Sequence, residues 1–179
     1  MRWLSWLSHE IVPELQSLVL GPADEDPRYY AECQNLVHHL GLENCLRFTG
    51  PVSVGEYLPQ LDVMVLTSIS EAQPLVILEA GAAGIPSVAT DVGACRQMIY
   101  GGSGEEPALG AGGEVTPLAN PTATAHAVAR LLADRGYWER ASSAISERVR
   151  RYYDRSALDR SYRELYEYWR AVPAVEEAA

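Results

Sequence analysis

The chain has 179 residues, 47% of them apolar and 21% charged, with a mean hydropathy of −0.11. That is enough for one domain with a substantial core and too little for two large ones. The net charge of −10 argues against broad nucleic-acid binding, which takes a basic face, and no apolar run approaches the roughly 20 residues that cross a bilayer.

The opening Met1-Arg2-Trp3-Leu4-Ser5-Trp6-Leu7 reads as an amphipathic helix reaching about Ile11. It lacks the continuous apolar core and small-residue cleavage site of a signal peptide. Leu15-Gln16-Ser17-Leu18-Val19-Leu20 has strand character and ends at Gly21-Pro22. Asp24-Glu25-Asp26-Pro27 is an acidic helix start with Pro at or near the first helical position. The helix that follows stops near Gly41, with Leu36, Val37 and Leu40 on its apolar side. Cys45-Leu46-Arg47-Phe48-Thr49-Gly50 is a second strand, again closed by Gly-Pro, and residues 53–61 fit a short helix. Asp62-Val63-Met64-Val65-Leu66-Thr67 reads as a third strand, buried on both faces, and Pro86-Ser87-Val88-Ala89-Thr90 as a fourth. Near-continuous apolar strands alternating with helices indicate a parallel sheet covered on both sides, a doubly wound α/β domain.

Residues 101–113 are Gly-rich and are expected to form a mobile loop. Gly110-Ala111-Gly112-Gly113 is not a dinucleotide fingerprint, since no strand leads into it and no helix follows at once. Beyond Asn120-Pro121 a helix runs to Ala133, and a helical tract extends from Tyr137 almost to Trp169. Within it Ser156-Ala157-Leu158-Asp159 resembles a capped start, and Leu158, Tyr162, Leu165 and Trp169 repeat at helical spacing. That stripe is a packing face whose partner can lie outside this chain.

Cys33, Cys45 and Cys95 are scattered and odd in number, which fits a reducing cytoplasm better than a disulfide framework or a zinc site. His9, His38, His39 and His126 have no metal-ligand spacing with other donors, so no metal is expected. Arg96 is expected in an ordinary ion pair.

The segment Ser70-Glu71-Ala72-Gln73-Pro74-Leu75-Val76-Ile77-Leu78-Glu79-Ala80 carries the most chemistry. It places two carboxylates around the start of a helix that is otherwise almost wholly apolar, and such a helix is expected to be buried. A carboxylate inside it is expensive unless something polar meets it. Pro74 suits the first helical position. The amides of Leu75 and Val76 then point out of the helix start, where the dipole favours an anion such as a phosphate. An acid on either side suits a sugar at one end of a pyrophosphate and a ribose at the other.

Glu71 and Glu79, preceded by Asp62-Val63-Met64-Val65-Leu66-Thr67-Ser68 and followed by Ala80-Gly81-Ala82-Ala83-Gly84-Ile85-Pro86, resemble the E-x7-E region of retaining GT-B glycosyltransferases of family 4. The likeness spans about Gly21 to Val92. It implies the C-terminal, nucleotide-sugar-binding half of a two-domain fold, Rossmann-like over 1–135, with C-terminal helices over 136–179 that pack back toward an N-terminal acceptor domain. By resemblance, Glu71 is the catalytic-site acid that holds the donor sugar's hydroxyls, and backbone groups at Gln73 and Pro74 face the same sugar. Leu75 and Val76 meet the diphosphate, Glu79 takes the ribose hydroxyls, and Gly50, Pro51 and Val52 lie near the base.

The implied ligand is a UDP-sugar with no cofactor, and the implied reaction is transfer of a hexose to a growing exopolysaccharide, with inner-membrane synthase components as partners. The family's Gly-Arg and Lys, which neutralise the leaving diphosphate, have no counterpart in this chain, so the chain alone is expected to transfer sugar poorly or not at all. Another GT-B enzyme, such as a sugar-nucleotide epimerase, and a non-catalytic nucleotide-binding or scaffold module both remain open. Ala72-Gln73-Pro74 stands where many relatives carry glycines.

Overall fold

The computed structural model describes residues 4–5 and 7–171. Part of the opening helical reading, at Met1–Trp3 and Trp6, lies outside the described residues; Leu7–Ile11 forms one helical turn. Five strands follow, β1 (Ser17–Leu20), β2 (Leu46–Gly50), β3 (Met64–Leu66), β4 (Ser87–Thr90) and β5 (Gly113–Thr116). Among the described residues the α-helices that accompany them are α1 (Pro27–His39), α2 (Val54–Tyr57), α3 (Leu75–Ala82), α4 (Cys95–Tyr100), α5 (Pro121–Ala133), α6 (Arg135–Tyr152) and α7 (Arg155–Ala171). All strand pairs are parallel. Helices flank them, so the expected doubly wound Rossmann-like arrangement is present.

The sheet is in two pieces. β1 pairs with β2, and β3-β4-β5 forms a second ladder with β4 at its centre. This explains a departure from expectation. β3 is three residues long and only Met64 is buried, with Val65 and Leu66 half-buried, because it is an edge strand with a neighbour on one side. Central β4, by contrast, is buried at all four positions.

Local chemistry explains the helix ends. Asp26 caps α1 by accepting from the Tyr29 amide at 3.0 Å, with Pro27 in the first turn. Leu36, expected on the apolar side, is exposed, while Val37 is buried. Asn120 and Asp134 cap α5 and α6 in the same way, accepting from Ala123 and Tyr137 at 3.0 and 2.9 Å. The long C-terminal helical tract breaks at Tyr153-Asp154. The cap of α7 is Asp154, whose carboxylate takes the Ala157 amide at 2.9 Å, and not Ser156.

α6 is packed into the body of the domain. Ala141, Ala144, Ile145 and Arg148 are buried along it. Gly81 of α3 is what allows the approach: a β-carbon there would lie 2.7 Å from Val149 Cγ2 and 2.8 Å from Ile145 Cγ1. Ser142 Oγ donates to the Gly84 carbonyl at 2.6 Å, and Trp138 Nε1 to the Asp62 carbonyl at 2.6 Å, fixing α6 along the same side of the sheet. The helix left with no surface to cover is α7. From Arg155 to Arg170 every residue except Ala157 is exposed, including Leu158, Tyr162, Leu165, Tyr166 and Trp169.

The Gly-rich loop is held in place, contrary to the expectation that it is mobile. Arg148, 1% exposed, makes a two-pronged ion pair with Glu105, Nε to Oε2 at 2.6 Å and an Nη to Oε1 at 2.8 Å. Its remaining donors reach the carbonyls of Ile99 (2.8 Å) and Gly110 (2.6 Å). Glu105 in turn accepts the Leu109 amide at 2.9 Å. A buried charge pair is sustained only when its spare donors and acceptors are satisfied in this way.

Candidate functional site

The turn between β3 and α3 carries most of the residues singled out in the sequence. It emerges at the carboxyl end of β3, the end at which open α/β sheets bind ligands. Glu71 is half-buried in it, Gln73 is exposed and Pro74 is buried. Pro74 is the cap residue rather than the first helical residue, with φ −71° and ψ 113°, and its carbonyl accepts the Ile77 amide at 3.2 Å. The amides of Leu75 and Val76 therefore precede the first helical hydrogen bond and have no intrahelical acceptor.

α3 is not buried on all sides. Ile77, Ala80 and Gly81 face the core. Leu75 (65% exposed), Glu79 and Ala82 face outward at helical spacing. Glu79 is exposed and does not carry the burial cost that the apolar composition of the helix implied. Among the described residues the carboxylates of Glu71 and Glu79 and the side-chain amide of Gln73 have no hydrogen-bond or ion-pair partner. All three belong to the segment whose helix start carries the two free amides, Gln73 and Glu79 exposed and Glu71 half-buried.

What holds this turn was not foreseen from the sequence. Thr90 Oγ1 donates to the Ser68 carbonyl at 2.5 Å, and the Ala94 amide donates to the Ala72 carbonyl at 2.9 Å. Between them Gly93, at φ +50°, lets the two turns cross: a β-carbon there would sit 2.2 Å from the Glu71 carbonyl oxygen and 2.5 Å from that of Ala72. Only glycine fits so close an approach in a left-handed conformation. The signal in the sequence was Val92-Gly93 directly after a strand, but its partner, the carbonyl of the key acid, lies 22 residues back in the chain.

Arg96 pairs with Asp91 through both carboxylate oxygens, Nε at 3.1 Å from Oδ1. It makes an ordinary ion pair, as expected, and does not reach Glu79. The guanidinium beside Asp91 holds that carboxyl below the usual range. Behind the turn, burial pushes the Cys95 thiol up, and the nearby Glu71 and Asp91 carboxylates add to the effect.

Gly50, Pro51 and Val52 lie at the carboxyl end of β2, in the other sheet. The Thr49 hydroxyl donates to the Gly50 carbonyl at 2.9 Å, and the Gly21 amide donates to the same carbonyl at 3.2 Å. Val54, two residues on, packs on the same core cluster as Val76 of α3. Among the described residues no group of three His, Cys, Asp or Glu side chains is arranged to hold a metal ion, and no helix is long and apolar enough to cross a membrane.

Comparison with known proteins places this arrangement. In solved structures the fold is similar to sucrose-phosphate synthase from Thermosynechococcus elongatus, with a TM-score of 0.80 at 23% identity over 95% of this chain and 41% of that one. It is also similar to Anabaena HepE in complex with UDP, with a TM-score of 0.80 at 19% identity, covering 93% and 44% of the two chains. A C-terminal domain of a group 1 family protein, LpcC from Francisella tularensis, is matched over 79% of its length at a TM-score of 0.69 and 19% identity. These likenesses show the fold, that of the C-terminal half of a GT-B glycosyltransferase.

Two curated relatives are nearer in sequence. N-acetyl-alpha-D-glucosaminyl L-malate synthase of Bacillus anthracis is 32% identical over 146 residues, 79% of this chain and 36% of that protein. Phosphatidyl-myo-inositol mannosyltransferase of Mycobacterium leprae is 31% identical over 147 residues, 80% and 35%. The chain thus spans about a third of the length of either. The model of the family "Glycosyl transferases group 1" matches residues 3–134, the stretch that holds every strand and the whole Glu71–Glu79 turn, and the chain belongs to that family.

Proposed function

We propose that this chain is the donor-binding part of a retaining glycosyltransferase and that its ligand is a UDP-sugar. The observation that carries the reading is the convergence, at one helix start, of two unpartnered carboxylates, an unpartnered amide side chain and two free backbone amides. Amides at a helix start suit a diphosphate. Glu79, one turn further on, suits the paired hydroxyls of a ribose, and Glu71 those of the sugar. Gly50 to Val52 offers main-chain groups to the base. Solved relatives of the same fold hold UDP and UDP-glucose, which favours uridine over other nucleosides for the proposal.

Finer wording narrows the reading further. Ser68-Ile69-Ser70-Glu71-Ala72-Gln73-Pro74-Leu75 and Thr90-Asp91-Val92-Gly93-Ala94-Cys95-Arg96 are similar to PelF, the cytoplasmic glycosyltransferase of Pel exopolysaccharide synthesis. On that basis the donor is UDP-glucose-like, the acceptor is a growing exopolysaccharide, and the partners are inner-membrane components of that system approached from the cytoplasm. The exposed stripe of α7 would pack on the acceptor-binding half of the enzyme. Cations that neutralise the departing diphosphate would come from residues beyond this chain, and the chain alone would bind donor without turning it over.

Calorimetric titration with UDP and UDP-glucose tests the reading. A carboxylate accepting two hydroxyl hydrogen bonds contributes about 1.5–3 kcal/mol, so Glu79→Ala is expected to weaken UDP binding by about 10- to 100-fold. A folded chain that ignores UDP, or binds it equally well without Glu79, would overturn the donor-site assignment.

A further inference from the structure

The 101–112 loop does more than close off the sheet: its contacts end at the corner where α6 turns into α7. Glu105 is locked to Arg148 near the end of α6. The next residue, Glu106, donates its amide to Tyr152 Oη at 3.1 Å, and the Tyr152 hydroxyl lies 3.4 Å from the Glu106 carbonyl. Tyr152 is the last residue of α6. Its neighbour Tyr153 points the other way and packs on the core cluster around Ile77 and Ile145. Asp154 then starts α7 by capping it. Two adjacent aromatic side chains therefore fasten the corner, one to the loop and one to the core, within two residues of a helix that is exposed from Arg155 to Arg170 at every residue except Ala157.

A bare two-residue break between helices leaves several backbone directions open, and anchoring both side chains at its start narrows them. We propose that the 101–112 loop is a bracket that sets the direction in which α7 leaves the domain, with Tyr152 and Glu105 as positioning residues and Arg148 as the anchor. Resting on the donor-binding reading above, the consequence is that α7 reaches its partner surface with its Leu158–Trp169 face already aimed. The sequence of the loop fits this role. Gly101, at φ +90°, leaves the Glu105 carboxylate the space that a β-carbon would take at 2.7 Å, Gly112 does the same for Ile145, and Glu105 is the only side chain of the loop bound to Arg148 among the described residues.

The test uses the chain with Cys33 and Cys45 changed to Ser and spin labels on cysteines introduced at Glu56 and Arg163, both exposed. Electron–electron dipolar spectroscopy is expected to give one narrow distance for the parent. Tyr152→Phe and Glu105→Gln are each expected to broaden it at least twofold, with UDP affinity measured on the same samples unchanged within twofold. A distribution that is already broad in the parent, or stays narrow in both variants, would overturn the bracket. A variant that merely loosened the fold would lower the melting temperature without changing the distance, which also counts against it. UDP binding is read separately, so a chain that fails to bind UDP refutes the donor-site reading while leaving the bracket's own result intact.

Discussion

Replacing Arg148 with Met is expected to destabilise the domain by about 3–5 kcal/mol, because it leaves the Glu105 carboxylate buried with its partner gone. Urea unfolding monitored by circular dichroism measures this directly. Met matches the length of the arginine stem, so the loss reports charge and hydrogen bonds more than volume. The double replacement Arg148→Met with Glu105→Leu is expected to recover much of it, since removing both members of a buried pair is often close to neutral. A single variant within about 1 kcal/mol of the parent would show that Arg148 is not the anchor its burial and four acceptor contacts imply.

The same pair gives a pH signature. The Arg148 guanidinium holds the Glu105 carboxyl below its ordinary value of 4.5, through their hydrogen bonds first and against the opposing effect of burial. A depressed native value means that the contribution is complete above about pH 4.5 and is lost as the pH falls through the lower native value. Several other acids are shifted the same way, among them Asp91 and Glu147, the latter to about 2 beside Arg150 and Arg151. The informative comparison is therefore with Glu105→Gln, whose stability is expected to fall less steeply between pH 5 and 3 than that of the parent.

The second large effect is expected at Gly93. A methyl group there would need the space of the Glu71 and Ala72 carbonyl oxygens, at 2.2 and 2.5 Å, in a backbone conformation that already strains an L-residue by about 1–2 kcal/mol. The chain can relieve the clash only by moving the turn that carries Glu71. Gly93→Ala is expected to remain folded, with a stability loss of about 1–3 kcal/mol, and to lose at least tenfold in UDP affinity. Gly55→Ala, at a position with open space around it, serves as the control. Full UDP affinity in a folded Gly93→Ala chain would separate the turn's geometry from donor binding.

The parallel α/β class was legible in the sequence because its cause is local: short β-rich runs between Gly-Pro punctuation, and acids or asparagine before Pro at helix starts. Glu71 and Glu79 were legible for a related reason, since a carboxylate in an apolar run is anomalous on its face. Their surroundings were read less well. An all-apolar α3 looked buried on every side, yet Leu75 and Ala82 are open, because composition counts side chains and cannot see that a helix lies at an edge of the domain. The stripe on α7 is exposed along its length, and the cap of that helix is Asp154 where Ser156 is expected, since Ser and Asp compete for the same role and only coordinates separate them. The clamp of Arg148 on Glu105 was invisible. The two residues are 43 positions apart, and a Gly-rich loop carries no periodicity that would announce a buried partner.

The division of the sheet has one further implication. The β1–β2 piece has its own small core around Leu4, Val37, Leu42 and Leu46, while β3–β5 is built on two others, and Leu15 is the side chain that borders both sides of the divide. Among the described residues no ladder hydrogen bonds cross between the pieces, so the two are suited to open independently, as separate cooperative units. In the proposed binding mode the base rests on Gly50 to Val52 of one unit while ribose, phosphates and sugar rest on Glu79 to Glu71 of the other. A nucleotide bound in this way is a strut across a seam in the protein. Part of its binding energy would then appear as mechanical coupling between two halves of the domain, slowing backbone amide exchange in β1 and β2 even though most of the ligand sits beyond them.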